Sequence, residues 1–251
     1  MIEPWIYGAL TATAVVAGFV DSVAGGGGLI TVPALIFAGL PPAMVLGTNK
    51  LQSACGTALA TFKYHRAGLF VLRPNLPAVG FVLVGSAVGA LVIQHFNPSV
   101  LKLIVPLLLI AVALYTLLSP KMHDHDGDPR LSERAYLPIA GAIGFYDGFF
   151  GPGTGQFFAT TLVSLRGQGL TRATGLTKLF NLTSNIAALA MFATGGQIVW
   201  TLGFCMAAGS MSGAWAGAHM ATRLGAKVIR PLLVTVSLIL TAKLVWGWFT
   251  G

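Results

Sequence analysis

Two lysines and two aspartates stand inside long apolar runs where almost no other charge occurs. Asp21 precedes a run of four glycines, Gly25, Gly26, Gly27 and Gly28, and the stretch GFVDSVAGGGGLITVPALIFAGLPPAMVLGTNK closes on Lys50. A second copy, GFYDGFFGPGTGQFFATTLVSLRGQGLTRATGLTK, aligns Asp147 with Asp21, Gly151 with Gly25 and Gly153 with Gly27; two extra residues in its second connection then bring Lys178 into register with Lys50. Duplication of this kind predicts two halves of one architecture. Each copy combines a fixed cation, an acid and a backbone free to break a helix, a combination suited to receiving an anion.

The glycines supply the turn and let a ligand approach the main chain closely. A helix beginning at such a break points its unpaired N–H groups and the positive end of its dipole into the site. Polar neighbours add hydrogen-bond donors for oxyanions such as sulfite, sulfonate or carboxylate: Thr48, Asn49 and Gln52 beside Lys50, Thr174, Thr177 and Asn181 beside Lys178, and Thr31, Thr154 and Gln156 from the glycine stretches. Two readings of the lysines stand side by side. In one they receive the substrate; in the other Lys50 pairs with Asp21 and Lys178 with Asp147. Asp21 and Asp147 are equally candidates for proton or sodium coupling, because intramembrane acids commonly mark ion paths.

The elements that must position these residues are apolar helices. With 55% hydrophobic and 9% charged residues the chain falls far from a soluble domain, whose charged fraction is about 25%. The reading is an all-α polytopic membrane protein in the lipid bilayer, with no strand alternation of the barrel type. The first half divides into segments over 4–24, 28–40, 42–65, 75–96 and 98–118, and the second into 134–150, 155–165, 171–193, 198–222 and 228–249. The segments after the glycines are too short to span about 30 Å of hydrocarbon. Each is expected to form a hairpin with its predecessor, its tip at mid-membrane; a kinked span over 28–47 is the alternative.

Each half then crosses an odd number of times, so the halves are inverted: residues 1–120 form the first repeat, 121–133 a cytoplasmic linker and 134–251 the second repeat. Basic residues follow this scheme. Lys63, Arg66, Arg73, Lys121, Arg130, Arg134, Arg166, Arg172, Arg223, Lys227 and Arg230 fall on one side, against a lone Lys102 on the other, and the positive-inside rule makes the basic side cytoplasmic, with both termini outside. The net charge of +8 is thus read as orientation, with no nucleic-acid partner. The N-terminus lacks the basic region of a signal peptide and is expected to be retained. Cys55 and Cys205 sit in apolar segments at unmatched positions and suggest no disulfide. Gly85 and Gly89, and Gly209, Gly213 and Gly217, carry the spacing of tightly packed membrane helices.

Other chemistries are poorly served. The linker residues His123, Asp124, His125, Asp126 and Asp128 match no zinc or calcium loop and read as solvated, so no metal or cofactor is expected. His65, His95 and His219 lie near segment ends. Ser210 and Ser212 with His219 loosely suggest an intramembrane hydrolase, but serines among glycines are explained by contacts between helices. With Glu3 and Glu133 the only glutamates and no enzymatic motif, the chain is not expected to be an enzyme.

The motifs GFVDSVAGGGGLITVPAL, GTNKLQS and GFYDGFFGPGTG, in this order and in both halves, resemble those of the TauE/SafE family of sulfite and organosulfur-anion permeases. The resemblance covers nearly the whole chain and implies a bacterial inner-membrane transporter of small anions. Function is therefore expected to be secondary transport by alternating access, with proton coupling through Asp21 or Asp147. A passive anion channel on the same scaffold is the first alternative, followed by a hydrolase using Ser212 and a cation transporter using the acids as ligands. The reading leaves room for an oligomer.

Overall fold

A computed structural model describes residues 3–118, 122–229 and 231. Every regular element among them is an α-helix: α1 (Pro4–Ala24), α2 (Gly28–Phe37), α3 (Pro42–Arg66), α4 (Leu72–Gln94), α5 (Pro98–Leu118), α6 (Glu133–Phe149), α7 (Thr154–Arg166), α8 (Leu170–Thr194) and α9 (Trp200–Leu224). The expected last segment, along with Lys121 and Arg230, lies outside the described residues apart from its first positions.

The glycine stretches break the helices where expected. Gly25 takes φ +76° and caps α1, its N–H donating to Asp21 O, and Gly153 takes φ +83° directly before α7. α2 has 10 residues and α7 has 13, so they rise about 15 and 20 Å, short of a bilayer core. The continuous span over 28–47 is not formed, because the chain turns at Gly39 and α3 starts anew with Pro42 at its first turn. α2 also stops three residues before the expected Leu40.

The α6–α7 pair enters and returns to the same end of the bundle. Arg166 at the end of α7 lies 3.5 Å from Glu133 at the start of α6, and Arg130 N and Leu131 N both donate to Leu165 O. The α3–α4 connection and the start of α8 reach this end too, for Leu69, Val71, Arg134, Arg166 and Arg172 line one cavity there. At the opposite end Val199 N, just before α9, donates to Thr48 Oγ1 near the start of α3.

Two apolar clusters fill the ends. One gathers Leu35, Val45, Leu46, Ile93, Phe192, Ile198 and Leu202; the other gathers Tyr64, Phe70, Tyr136, Phe158, Leu162, Leu170 and Phe180 near the arginines. Large apolar side chains also point outward, including Phe81, Val84 and Val88 of α4 and Phe204, Met211 and Trp215 of α9. With Lys50 and Lys178 1% and 0% exposed, polarity is placed inside and apolarity outside, as lipid requires. α1 and α4 are apolar and long enough to cross a membrane by themselves.

Helices α1 and α9 pack along one another, as do α4 and α6. Both contacts run backbone to backbone. A Cβ on Gly213 would strike Val15 O, and one on Gly209 would strike Thr11 O; on the other pair, Gly85 and Gly89 press on the carbonyls of Gly141 and Phe145. The sequence expectation of close packing at these glycines is met, and it extends to Gly144 and Gly148, which face Val82 and Ser86 of α4.

The linker residues are exposed, as expected, and in addition they clamp the start of α8: Asp126 Oδ1 accepts from Gly169 N at 2.7 Å, Asp124 Oδ1 accepts from Thr171 N at 2.8 Å, and Asp126 also pairs with Arg172. Free N–H groups at a helix start attract carboxylates, and here they are supplied from a distant segment. The acid-rich composition thus serves as a remote cap.

A Gly213→Val variant should lose about 1–3 kcal/mol, seen as a lowered thermal midpoint in detergent, because the added methyls have no room against α1. Gly80→Val, where a Cβ meets nothing within 4 Å, should leave the midpoint nearly unchanged. The Gly169 N–H, and secondarily Arg172, hold the Asp126 carboxyl below its ordinary range. Its clamp is therefore complete above the unfolded carboxyl value of about 3.9 and is lost as pH falls through the folded value. Amide exchange at Gly169, corrected for intrinsic rate, should rise over that acid window in the wild type and show no such step in Asp126→Asn.

Candidate functional site

The tips of the two hairpins touch at the centre of the bundle. A Cβ added to Gly25 would lie 2.7 Å from Gly155 Cα, and one on Gly28 would lie 3.1 Å from Pro152 Cα. The first turns of α2 and α7 thus meet at one point, between the two apolar clusters.

The charges there are paired across the halves. Lys50 Nζ lies 3.0 Å from Asp147 Oδ1, and Lys178 Nζ lies 3.7 Å from Asp21 Oδ2. Lys178 Nζ also donates to Asp21 O. The expected pairings within each half, Lys50 with Asp21 and Lys178 with Asp147, are therefore replaced by crossed ones. The reason is geometric: α3 packs against α8 through the centre, and each broken hairpin delivers its acid to the lysine of the other half.

Each charge has further partners. Lys50 Nζ donates to Asn185 Oδ1 at 3.2 Å, and Asn185 Nδ2 donates to Thr57 Oγ1 at 3.2 Å. Asp21 Oδ1 accepts from Gly27 N at 3.3 Å, so this carboxylate caps the start of α2 as an internal anion. The two acids are not equivalent. The Asp21 side chain is 28% exposed and that of Asp147 5%, and Asp147 Oδ2 is buried with no hydrogen-bond partner among the described residues.

A cavity of about 20 Å³ lies among Asp21, Gly25, Gly28, Asn49, Lys50, Ser53, Asp147, Gly151, Gly153, Thr154, Gly155, Asn181 and Asn185. A second, of about 10 Å³, lies on the other side of Asp21, against Gly27, Gln52, Ser53, Thr57 and Ser210. Each has room for about one water.

Of the residues singled out in the sequence, Gly25, Gly28, Asn49, Lys50, Gly153, Thr154 and Asn181 line the central cavity with Asp21 and Asp147; Gly27 and Gln52 line the second. Gly26 is buried within the break. Thr31 Oγ1 donates to Asn49 Oδ1 at 2.6 Å, and Gln52 Nε2 donates to the same oxygen at 2.9 Å, so both orient a cavity residue. Thr48 accepts from Val199 N and Thr174 donates to Leu170 O, which are structural bonds. Gln156 and Thr177 are buried but line neither cavity.

Sequence reading missed Ser53 and Asn185. Their signal was present as a stripe at helical spacing: Lys50, Ser53 and Thr57 on α3 match Lys178, Asn181 and Asn185 on α8. The hydrolase alternative loses its geometry, since Ser212 Oγ is bonded to Ala208 O on an exposed face and the His219 ring stacks on Trp215. Among the described residues no cluster of three or more His, Cys, Asp or Glu is arranged to hold a metal.

Buried opposite charges at the meeting of two broken helices, inside a bundle with apolar outer faces, define an α-helical polytopic membrane protein with a polar centre. The chain belongs to the sulfite exporter TauE/SafE family, whose family model matches residues 10–244. It is 46% identical over 237 residues to a probable membrane transporter protein of Haemophilus influenzae, covering 93% of each chain. It is 43% identical over 247 residues to the probable membrane transporter protein YfcA of Escherichia coli K12, covering 98% of this chain and 92% of the relative. A more distant relative, the probable membrane transporter protein YunE of Bacillus subtilis, is 25% identical over 272 residues. No solved structure matches the chain.

Removing one member of a crossed pair leaves a buried charge alone, at a cost of about 3–5 kcal/mol. Lys50→Met and Asp147→Leu should each lower the thermal midpoint sharply, whereas the double variant should recover most of the loss. If the double variant is as unstable as the sum of the singles, the pair is not coupled as described.

Proposed function

We propose that the protein is a secondary transporter of a small anion, such as sulfite, a sulfonate or a small carboxylate, working by alternating access around the two glycine breaks with a proton carried on Asp21. The observation that carries this reading is the crossed charge set at the hairpin tips. Two lysines and two aspartates sum to zero. An entering anion would make the centre negative, and an uncompensated charge there is costly. One proton on a carboxylate restores neutrality and frees a lysine for the anion. Asp21 is the acid suited to this, being the more exposed, the more loosely paired and placed between the two cavities. Its release would also vacate the start of α2, where Gly27 N–H and the helix dipole favour a negative group.

The repeat reading supports alternation. Exchanging α1–α4 for α6–α9 maps the main contacts onto one another: α1 with α9 becomes α6 with α4, α3 with α9 becomes α8 with α4, and α3 with α8 maps onto itself. In an inverted pair of repeats, 1–120 and 134–251, closing one hairpin against its neighbours would mirror opening the other. The arginine-rich end is assigned to the cytoplasm of a bacterial inner membrane and both termini to the outside. In this arrangement the opposite end is closed, with Thr48 bonded to Val199 and Leu35, Leu46 and Phe192 packed behind.

The test is uptake of radiolabelled sulfite, propanesulfonate and acetate into proteoliposomes. The wild type should accumulate at least one of them when the outside is made acidic, and Asp21→Asn should still exchange that anion while losing the response to the gradient. Accumulation indifferent to the gradient would remove the proton, and saturable flux that can never be driven uphill would favour the channel. No movement of any of these anions would sink the proposal for them.

A further inference from the structure

The central cavities have room for about one water each, yet a cavity of about 320 Å³ lies at the arginine-rich end, near the lower bound of about 300 Å³ for small-molecule sites. Its polar wall carries Arg134, Arg166 and Arg172 against a single lining carboxylate, Glu133. Glu133 is 3.5 Å from Arg166, and Asp126 pairs with Arg172. Among the described residues no carboxylate pairs with Arg134. Its apolar wall includes Leu137, Leu162, Leu176 and Phe180.

Phe180 belongs to this wall. It is 1% exposed, its ring lies 5.2 Å from that of Phe158, and its neighbour Asn181 lines the central cavity. The same three helices line both spaces: α6 through Arg134 and Asp147, α7 through Leu162 and Thr154, α8 through Phe180 and Asn181. The two cavities are therefore bounded by the same three helices, and Phe180 of the large one is the chain neighbour of Asn181 of the small one.

We propose that this vestibule is a second binding site, in which Arg134 and Arg166 hold the oxyanion group of a small organic anion while Leu137, Leu162 and Phe180 contact its apolar part. Guanidinium groups suit planar and tetrahedral oxyanions because they offer several donors in a fixed fork. The apolar wall selects for an organic sulfonate or carboxylate over a bare inorganic ion. The site's role as an antechamber rests on the transport reading above, but its occupancy does not.

The experiment uses Leu137→Cys in a Cys55→Ala, Cys205→Ala background of the purified full chain. With each rate taken relative to that reagent's rate with a free thiol in solution, labelling by anionic sulfonatoethyl methanethiosulfonate should outpace labelling by the cationic trimethylammonioethyl reagent by roughly tenfold, as a charged cleft concentrates counter-ions. Propanesulfonate should slow labelling; Arg134→Gln with Arg166→Gln should abolish both effects, and Arg134→Lys should keep the charge preference. Equal rates for the two reagents would overturn the site. So would protection that vanishes in Lys50→Met with the arginines intact, because the anion would then sit at the centre. Protection by phosphatidylglycerol but not propanesulfonate would assign the arginines to a lipid headgroup and overturn it likewise. Protection by propanesulfonate in a protein that moves no anion in liposomes would support the vestibule and count against transport alone.

Discussion

Four charges that cannot be left alone in a bilayer organise this protein. Each lysine would cost roughly 2.5–3.5 kcal/mol at mid-membrane even on the lenient insertion scale. Crossing the pairs, Lys50 to Asp147 and Lys178 to Asp21, meets that cost and ties the two halves at once. Neither half can satisfy its own charges in this arrangement. The hairpin tips must therefore meet, and the glycine breaks exist where they do because the backbones of Gly25 and Gly155 touch.

Bringing the tips together requires the surrounding helices to approach closely. The glycine faces of α9 and α4 allow it, each pressed against the carbonyls of the first helix of the other half. Such contacts suit lipid, where apolar burial gives helices little reason to associate and close packing must do so. The linker adds a separate restraint by holding the start of α8 through Asp124 and Asp126, which bears on the helix that carries Lys178, Phe180 and Asn181.

The two ends of the molecule differ. One is closed by apolar packing and the Thr48 to Val199 bond; the other opens into a space lined by arginines and Phe180. The charge centre lies between them with room for little more than water. Taken with the greater exposure of Asp21 than of Asp147, this gives a near-symmetric duplication an asymmetric state.

Much was legible from residues alone because it depended on local chemistry and on period. Glycine runs inside apolar sequence dictate a break, segments of about a dozen residues cannot span, and an internal copy aligns acid with acid and lysine with lysine. Asn185 and Ser53 were legible in principle as a helical stripe beside the lysines. The partner of each charge was not, since a one-dimensional repeat pairs like positions and says nothing of which half faces which lysine. Likewise the capping role of the exposed acidic linker was not legible, because the N–H groups it caps belong to a helix more than forty residues away. Sequence by itself determined the breaks and the charges; only the packing of α3 against α8 decided how those charges pair, because that contact sets which groups lie within reach across the centre.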